Sequence, residues 1–261
     1  MKPITELTKE DIKDIKVVCF DVDGVVIKKG TDIKETRTTD QTTLTVTTNN
    51  LSESMLKKLI ELKKHYTVAI NSGRDSMYLT KIFYELLWGN VALISEIGIF
   101  TLMNGELNQH ERFDDRTLEI MKNIRVDLTR LEKTNQDFES FEPKQFLITL
   151  HAKSEIMEVY DIVKKYDVNN EFYAIWNGEA FDIAPERLNK GTALKNLADF
   201  LNIDMKNTMA IANGPNDRHM VEMAGIGVTT EPDELKADFH TTDDQHLGGE
   251  QLIDILLKLN S

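Results

Sequence analysis

Residues 17–26 have the sequence VVCFDVDGVV, and this stretch sets the architecture of the chain. A short apolar run rich in β-branched residues ends in two carboxylates, Asp21 and Asp23, followed by Gly24. Such runs are typical of buried parallel strands, and ligands of parallel α/β sheets bind at the carboxyl ends of strands. Side chains alternate along an extended chain, so both carboxylates are predicted on one side, as a nucleophile and a proton donor. An isolated acidic pair more often lies in a solvated turn than in a catalytic site. Polar groups in the other loops are therefore needed to support the catalytic interpretation.

Composition and charge limit the class of protein. The chain has 261 residues, 41% apolar and 29% charged, which suits one large soluble domain or two smaller ones. Its formal net charge of −13 argues against nucleic-acid and membrane-surface binding, which need clustered Lys and Arg. Anionic substrates remain open, because a bound metal can invert the field within one site. We therefore expect a small-molecule substrate and neither a nucleic-acid nor a membrane partner.

The single cysteine and the absence of long apolar runs indicate the compartment. Cys19 lies in the predicted buried strand, so no disulfide framework exists and a reducing environment is expected. Residues 1–16 are charged and lack the apolar stretch of a secretory signal. No run approaches the roughly 18 apolar residues that span a membrane. A cytoplasmic protein is expected.

Strand and helix patterns alternate at both ends of the chain. Buried strands are predicted at residues 67–70 and 91–94, and amphipathic helices fill the intervals before them. The same alternation returns over residues 190–228. This order indicates right-handed parallel crossovers. The sequence therefore predicts an α/β fold with a Rossmann-like parallel-sheet core.

The middle third has a different pattern. A hairpin with Asn104-Gly105 at its turn is followed by a long helix and by strands that lack the parallel rhythm. We therefore predict an inserted α+β cap domain at residues 104–186, and a discontinuous core formed by residues 1–103 and 187–261. The Thr-rich residues 31–48 predict a small hairpin, either a flap that gates a substrate or a plain edge hairpin.

Four loops at or near strand ends carry polar groups that suit phosphoryl transfer. Such chemistry needs mainly positioning and charge neutralisation from the protein. Asp21, the first carboxylate after the strand, can form an aspartyl-phosphate. Asp23 can protonate the leaving alkoxide and then activate water. The hydroxyl and amides of Ser72-Gly73 can grip phosphate oxygens, and Lys190 adds a point charge.

The last of these loops, residues 213–217, completes the predicted site. Hard oxygen ligands imply Mg²⁺, which binds few carboxylates and retains waters. Lys190 stands near a helix start, where a cation is disfavoured by the helix dipole, and this mildly favours a ligand-binding role. Asp217 in isolation could equally be an ordinary first-turn acid of the helix that follows.

The ordered set FDVDGVV, INSGRD, NKGTAL and NGPNDRHMVEMAG resembles the four motifs of the haloacid dehalogenase superfamily phosphatases. The segments KGTALKNLADFLNI and ANGPNDRHMVEMAGIGV are especially similar to the Cof-type and sugar-phosphate phosphatase branch. That branch carries an α+β cap after the third core strand, where the insert of this chain begins. The cap also resembles those of sucrose-, mannosylglycerate- and trehalose-phosphate phosphatases. The resemblance covers nearly the whole chain.

Carried over by position, the resemblance implies a nucleophile at Asp21 and a general acid/base at Asp23. It implies phosphate binding by Ser72, Gly73 and Lys190. The implied magnesium site comprises Asp21, Asp23, Asn213 and Asp217. The chain departs from the family at Asn213, where the family has an aspartate that binds the metal directly. An asparagine oxygen can coordinate Mg²⁺ without adding charge, so weaker metal binding is expected.

The predicted function is a Mg²⁺-dependent phosphatase that hydrolyses a small phosphorylated metabolite, a sugar phosphate, through phospho-Asp21. One alternative is a phosphomutase or phosphotransferase on sugar phosphates. The other, raised by Asn213, is a weakened or non-catalytic binding protein. The candidate specificity residues are Glu96, Asp182 and Asn216. His151 and Trp176 of the predicted cap either contact substrate or only pack.

Overall fold

The computed structural model of the chain describes residues 1–243 and 245–261. Its strands are β1 (Lys2–Pro3), β2 (Val17–Phe20), β3 (Thr31–Arg37), β4 (Thr42–Thr48), β5 (Thr67–Asn71), β6 (Val91–Ser95), β7 (Phe100–Met103), β8 (Glu106–Gln109), β9 (Phe138–Phe141), β10 (Ile148–Ala152), β11 (Phe172–Trp176), β12 (Ala180–Pro185), β13 (Thr208–Ala212), β14 (Ile226–Thr229) and β15 (Phe239–His240). Its α-helices are α1 (Lys9–Ile12), α2 (Glu53–Leu62), α3 (Ser76–Ile82), α4 (Asp115–Leu131), α5 (Met157–Tyr166), α6 (Lys190–Phe200), α7 (Arg218–Met223) and α8 (Gly248–Asn260). Among the described residues, no helix has the length and apolar character needed to cross a membrane.

The chain forms two compact units. The first unit contains Met1–Gly30, Asn49–Glu111 and Leu188–Ser261, and the second contains Thr31–Thr48 and Arg112–Arg187. This division differs from the predicted one in two places. The β7–β8 hairpin pairs with β6 and so extends the first unit past the predicted boundary. The β3–β4 hairpin groups with the second unit, because β3 lies beside β9.

A nine-stranded sheet organises the first unit. Its order is β1-β15-β14-β13-β2-β5-β6-β7-β8, with β2 near the centre. β2 pairs in parallel with β13 and with β5, and all four of its residues are buried. Only β7 runs opposite to the other strands, and it pairs antiparallel with β6 on one side and with the edge strand β8 on the other. The predicted α/β class with a largely parallel sheet is confirmed.

The two faces of this sheet carry side chains of different size. On one face large residues such as Phe20 and Ile70 pack with the apolar sides of α2 and α8. On the other face the strands present small residues, Cys19, Ala69 and Ala210, to α6 and α7. Small side chains let a helix approach a sheet closely. The alternation within β2 therefore brings the start of α6 close to the carboxyl ends of the central strands.

The second unit is built on a four-stranded antiparallel sheet of order β11-β12-β10-β9. One face packs on α4 and α5 through apolar residues, among them Leu150 and Phe181. By alternation the polar side chains of the sheet lie on the other face. At the ends of segment 112–187, Phe113 stacks on Phe146 at 3.4 Å between ring centroids, and the Arg187 guanidinium lies 5.6 Å from the Phe113 centroid.

The Thr-rich segment forms the predicted hairpin. β3 and β4 pair antiparallel over seven residue pairs, from Thr31↔Thr48 to Arg37↔Thr42. The hairpin attaches to the rest of the second unit along β9, where the Ser140 hydroxyl donates to the Ile33 carbonyl at 3.0 Å. Ile33 is buried, whereas nearly all of β4 is exposed.

Candidate active site

The candidate site lies at the carboxyl ends of three neighbouring strands of the first unit. Asp21 follows β2, Ser72 follows β5, and Asn213 follows β13. β2 lies between β5 and β13, so these three strand ends are adjacent. The backbone N–H of Asp21 continues the pairing by donating to Ile211 at 3.0 Å. Parallel pairing thus fixes where the first carboxylate leaves the sheet.

Lys190 lies between two carboxylates at this edge. Its ammonium donates to Asp21 Oδ1 and lies 2.5 Å from Asp217 Oδ1. All three side chains are buried. The start of α6 that presents Lys190 is held by Asn71, whose Nδ2 donates to the Lys190 carbonyl at 2.9 Å, and by the Asn189 N-cap. One buried cation therefore lies between two buried carboxylates.

Burial and this charge arrangement shift the ionisation of the cluster. Burial, with a further contribution from Asp217, raises the pKa of Asp21 to about 7, although Lys190 opposes the shift. Burial by itself would lower the pKa of Lys190, but Asp21 and Asp217 outweigh it and raise that pKa. The lysine thus stays protonated, whereas Asp21 takes up a proton more readily than an ordinary carboxyl group.

Asn213 contacts Asp23 through the backbone. Its Nδ2 donates to the Asp23 carbonyl at 2.8 Å, and its own N–H donates to Asp217 Oδ2 at 3.4 Å. The N–H of Gly214 donates to the same Asp217 oxygen at 3.1 Å. A side chain at position 24 would clash, since a Cβ on Gly24 would lie 2.4 Å from Asn213 Nδ2. Asp217 therefore orients the loop that aims Asn213 at the strand end.

The oxygen atoms at this edge fit the donor chemistry of Mg²⁺. Within the described residues no group of three or more His, Cys, Asp or Glu side chains forms a metal-ligand cluster. A set made of the Asp21 carboxylate, the Asp23 carbonyl and the Asn213 amide oxygen would suit Mg²⁺, which completes its shell with water. It requires the Asn213 amide to turn about χ2, so that Oδ1 replaces Nδ2. The set carries one fewer charge than one with aspartate at position 213.

Asp23 has a second neighbour that the sequence did not assign. Arg74 Nε lies 3.4 Å from Asp23 Oδ2, and the guanidinium also lies 5.1 Å from the centroid of the Tyr78 ring. Asp23 Oδ1 is buried and has no hydrogen-bond partner among the described residues. One oxygen of Asp23 is therefore oriented by a cation, and the other is available to a ligand.

A left-handed turn supports the Ser72-Gly73 loop. Glu96, Ile97 and Gly98 all have positive φ, at 47°, 56° and 91°. The N–H of Glu96 donates to the Arg74 carbonyl at 2.9 Å, and that of Ile97 donates to the Ser72 carbonyl at 3.1 Å. A Cβ at Gly98 would lie 2.4 Å from Ala193 Cβ of α6. This turn therefore ties the loop after β5 to the helix that carries Lys190.

The other predicted site residues differ in their surroundings. Ser72 is buried, and its hydroxyl accepts from the Arg74 N–H at 3.2 Å, as in a tight turn. Glu96 is fully buried in the turn just described. Asn216 is exposed in the short turn Pro215–Asp217. Of all the predicted site residues, the structure therefore brings only Asp21, Lys190 and Asp217 into direct side-chain contact with one another, as far as the described residues show.

Asp182 lies in the second unit, within a polar cluster on the sheet face opposite α4 and α5. It accepts the Thr149 hydroxyl at 2.5 Å, and Lys144 Nζ lies 3.5 Å away. Lys144 also lies 3.8 Å from Glu142, and Glu142 lies 3.4 Å from His151 Nε2. His151 thus belongs to the polar cluster.

Trp176, the other undecided aromatic residue, contacts the apolar side of that sheet. Its ring lies 4.8 Å from the ring of Phe181, which is part of the core of the second unit. The structure therefore favours packing for Trp176.

Two supporting residues were missed by sequence reasoning. Asn71 and Arg74 flank Ser72-Gly73 within INSGRD, but neither was assigned a role. A buried amide at the last position of an apolar strand was the available signal for Asn71, because such a group needs a partner. For Arg74 no signal in the sequence distinguishes a contact with Asp23 from a solvated side chain.

Comparison with known proteins agrees with this geometry. Residues 36–237, well over half of the chain, match the sequence profile of the haloacid dehalogenase-like hydrolases. The chain belongs to this hydrolase family. The matched region contains Ser72, Lys190, Asn213 and Asp217, whereas Asp21 and Asp23 precede it. The predicted family is confirmed, and it is consistent with the predicted phosphoric monoester hydrolase.

A curated relative and several solved structures resemble parts or all of the chain. Phosphatase YwpJ of Bacillus subtilis (strain 168) is 36% identical over 66 residues, which are 25% of this chain and 23% of YwpJ. The C-terminal domain of trehalose-6-phosphate phosphatase from C. albicans has a TM-score of 0.69 at 15% identity, covering 96% of this chain and 95% of that one. A haloacid dehalogenase-like hydrolase from B. subtilis has a TM-score of 0.63 at 20% identity, covering 91% and 99%. At these identities the structural likenesses show the fold.

Proposed function

We propose that this hydrolase is a phosphatase that acts on a small phosphorylated metabolite, a sugar phosphate, through a phospho-Asp21 intermediate. The observation that carries the proposal is the Lys190 ammonium held between Asp21 and Asp217 at the end of β2. A buried carboxylate beside a fixed cation can attack phosphorus while the cation neutralises charge on the phosphoryl oxygens. The match to phosphatase YwpJ supports the same class of reaction.

The proposed reaction has two displacements. An Asp21 oxygen attacks phosphorus, the bond from phosphorus to the alcohol oxygen breaks, and the Asp23 carboxyl gives that oxygen its proton. Asp23 then takes a proton from water, which attacks the phosphoryl group and breaks the bond to Asp21. Arg74 orients Asp23 during both steps through its Oδ2 contact. Inorganic phosphate and the free alcohol are the products.

We further propose that the reaction depends on Mg²⁺. Asp21, the Asp23 carbonyl and Asn213 would hold the ion, and Asp217 orients Asn213 through the backbone. When bound, the ion supplies positive charge beside the transferred phosphoryl group. The buried Asp23 Oδ1 without a partner among the described residues supports a further polar ligand at this edge.

The polar cluster of the second unit supports a sugar as the leaving group. Asp182, Thr149 and Lys144 offer carboxylate, hydroxyl and ammonium groups on one sheet face, and such groups suit a substrate rich in hydroxyls. Several of the similar structures carry trehalose-6-phosphate phosphatase in their names, one of them as a related protein, which agrees with this substrate class. We assign Asp182 as a specificity residue on this basis.

Asp21→Asn tests the mechanism. This variant should melt near the wild-type temperature and release no phosphate from a panel of sugar phosphates or from p-nitrophenyl phosphate. Wild type quenched in acid should carry one phosphoryl group on the peptide that contains Asp21. Retained turnover in Asp21→Asn would contradict the proposal.

Asp182→Asn is the matched variant for specificity. It should lower kcat/KM for sugar phosphates while leaving hydrolysis of p-nitrophenyl phosphate unchanged, since that substrate has no hydroxyls to recognise. Transfer of phosphate to a second sugar instead of water would identify a phosphotransferase. Binding of sugar phosphates without turnover, also in Asn213→Asp, would identify a binding protein.

A further inference from the structure

β4 presents an open strand edge. One side of Thr42–Thr48 pairs with β3, and no strand among the described residues pairs with the other side. Every residue of β4 except the half-buried Thr48 is exposed. An open edge carries a row of backbone N–H and C=O groups that can template the addition of another strand.

This edge lacks the features that normally prevent strand addition. Proteins protect open edges with lysines, prolines, bulges or very short strands. β4 has the sequence TTLTVTT, which contains no charged residue, no proline and no glycine. It pairs with β3 in one unbroken register over seven positions, so no bulge twists it away. The charged residues of the paired strands all lie in β3: Asp32, Lys34, Glu35 and Arg37.

The sequence of β4 is also nearly symmetric about its centre. Read outward from Thr45, the next positions are Leu44 and Val46, and both outer pairs are threonines. An antiparallel strand is related to its mate by a twofold axis, so a symmetric sequence is complementary to itself. We infer that β4 pairs antiparallel with β4 of a second copy of this chain, with the twofold axis passing beside Thr45.

This pairing gives favourable contacts at every position. Thr45 lies opposite its own mate, and Leu44 lies opposite Val46 of the second copy. Leu44 and Val46 are 39% and 41% exposed in the single chain. In the dimer each of them packs beside the other residue of the second copy, so two such apolar pairs form. Val46 is paired with the buried Ile33 of β3, so their side chains lie next to each other on one face of the hairpin. Cross-strand pairs of branched apolar and threonine side chains stabilise sheets.

The expected dimer is weak. A single seven-residue edge buries less than the roughly 1,200 Å² of a standard interface, which is typical of transient association. Its backbone hydrogen bonds would join two hairpins into a four-stranded sheet of order β3-β4-β4-β3. We therefore expect a monomer–dimer equilibrium that depends on protein concentration, independent of the catalytic proposal.

Sedimentation equilibrium of the full chain tests the dimer, with Thr45→Lys as the decisive variant. Opposite residues of an antiparallel pair lie about 4.5–5.5 Å apart at Cβ, so two lysines would repel each other across the axis. The dissociation constant should rise by about fivefold in Thr45→Lys, because like charges directly opposite destabilise a pair. Thr36→Lys is the matched control, since it adds the same charge to the exposed face of β3 and should change nothing.

A mixing experiment keeps the test independent of hairpin stability. Thr45→Lys and Thr45→Glu should each be mainly monomeric, and their equimolar mixture should form heterodimers. Thr45→Cys should form a disulfide-linked dimer on mild oxidation, whereas Thr36→Cys should not; the native Cys19 is buried and does not interfere. A wild-type chain that stays monomeric at about 0.5 mM, where a dissociation constant of about 0.1 mM would already give mostly dimer, overturns the inference. A dimer insensitive to Thr45→Lys also overturns it, since it must use another surface.

Discussion

In each unit a lysine side chain is buried among acidic groups, but the two lysines have different surroundings. Lys190 in the first unit is 7% exposed and contacts two carboxylates, Asp21 and Asp217. Lys144 in the second unit is 2% exposed, contacts the Thr149 hydroxyl, and has carboxylates only at 3.5 and 3.8 Å. The first lysine is in tight ion pairs, and the second is in a looser network of mixed polar groups.

This difference indicates what each cluster is suited to bind. A tight cluster with two carboxylates per cation at strand ends can exchange its partners for a phosphoryl group and a metal, which are themselves strongly charged. A loose cluster with a hydroxyl, an imidazole and carboxylates on a flat sheet face can instead accommodate neutral hydroxyl groups. The first cluster suits a charged group, and the second suits neutral polar groups.

Replacing each lysine by methionine should change the free energy of unfolding more than any other pair of substitutions considered for the two clusters. Lys190→Met leaves two buried carboxylates facing each other, so the free energy of unfolding should fall by about 3–5 kcal/mol. Lys144→Met removes weaker contacts and should cost about 1–2 kcal/mol. Urea unfolding at pH 7, followed by circular dichroism, measures both. Equal losses would show that the two clusters do not differ in this way.

Two glycines provide the next comparison, because both have positive φ but only one is crowded. Gly98→Ala combines left-handed strain with a contact of 2.4 Å to Ala193, and should cost about 2–4 kcal/mol. Gly178→Ala in the β11–β12 turn has the same backbone strain, but no described atom lies within 4 Å of the new Cβ. It should cost about 1 kcal/mol. Thermal unfolding of both variants distinguishes crowding from strain.

Gly98→Ala should also reduce phosphatase activity, because the turn at 96–98 supports Ser72 and α6. Gly178→Ala should leave activity unchanged. Loss of stability in Gly98→Ala without any loss of activity per folded molecule would show that the turn supports the fold alone.

Asn213→Asp tests whether residue 213 contributes to the binding of Mg²⁺ in the first unit. A carboxylate at position 213 adds a charged oxygen ligand, so Mg²⁺ affinity should rise about tenfold. Asn216→Asp adds the same charge at an exposed neighbouring position and should change affinity far less, owing to screening. Isothermal titration of the metal alone measures both without relying on turnover. An Asn213→Asp variant with unchanged affinity would exclude residue 213 as a ligand.

Asp127 in the second unit is one carboxylate beside two cations, the reverse of the ratio at Lys190. Its replacement has the smallest expected effect on stability. Asp127 accepts hydrogen bonds from Lys165, Tyr166 and Arg130. The bonds from Lys165 and Tyr166, with the charges of Lys165 and Arg130, lower its pKa to about 2 from an ordinary 3.8. A lowered pKa stabilises the folded state above the ordinary pKa, and this stabilisation is lost as the pH falls towards the folded value. Asp127→Asn should therefore lower the melting temperature at pH 7, and the difference from wild type should shrink between pH 4 and 2.

The exposed Asp161 on α5 provides the control for that prediction. Asp161→Asn removes the same charge and should melt like wild type throughout this pH range. A difference between wild type and Asp127→Asn that grew on acidification would contradict the assignment of the stabilising group.

Most of the first unit follows from local patterns in the sequence. Buried parallel strands leave continuous apolar runs, so β2, β5 and β6 were all predicted near their observed positions. The Asn104-Gly105 turn was predicted because both residues tolerate positive φ, and they adopt 52° and 85°. These signals depend only on neighbouring residues.

Features set by irregular or distant contacts were not predicted. β9 was missed because its pairing with β10 skips Glu139, so Phe138 and Phe141 both point to the core and the period of two is broken. The contact between Arg74 and Asp23 joins residues far apart in sequence. The grouping of β3 and β4 with the second unit likewise depends on a tertiary contact with β9, which composition does not encode.

The contact of Arg187 with the ring of Phe113 has a consequence for folding kinetics. It places the two ends of segment 112–187 side by side. Closing a loop costs entropy that grows with the logarithm of its length, so an unfolded segment would slow the assembly of the first unit by separating its halves. Once the segment has folded, only a short connection remains to be closed, which saves about 2–3 kcal/mol of closure entropy. Folding of the inserted segment therefore shortens the flexible connection between the two halves of the first unit. This speeds the pairing of the parallel strands that flank it.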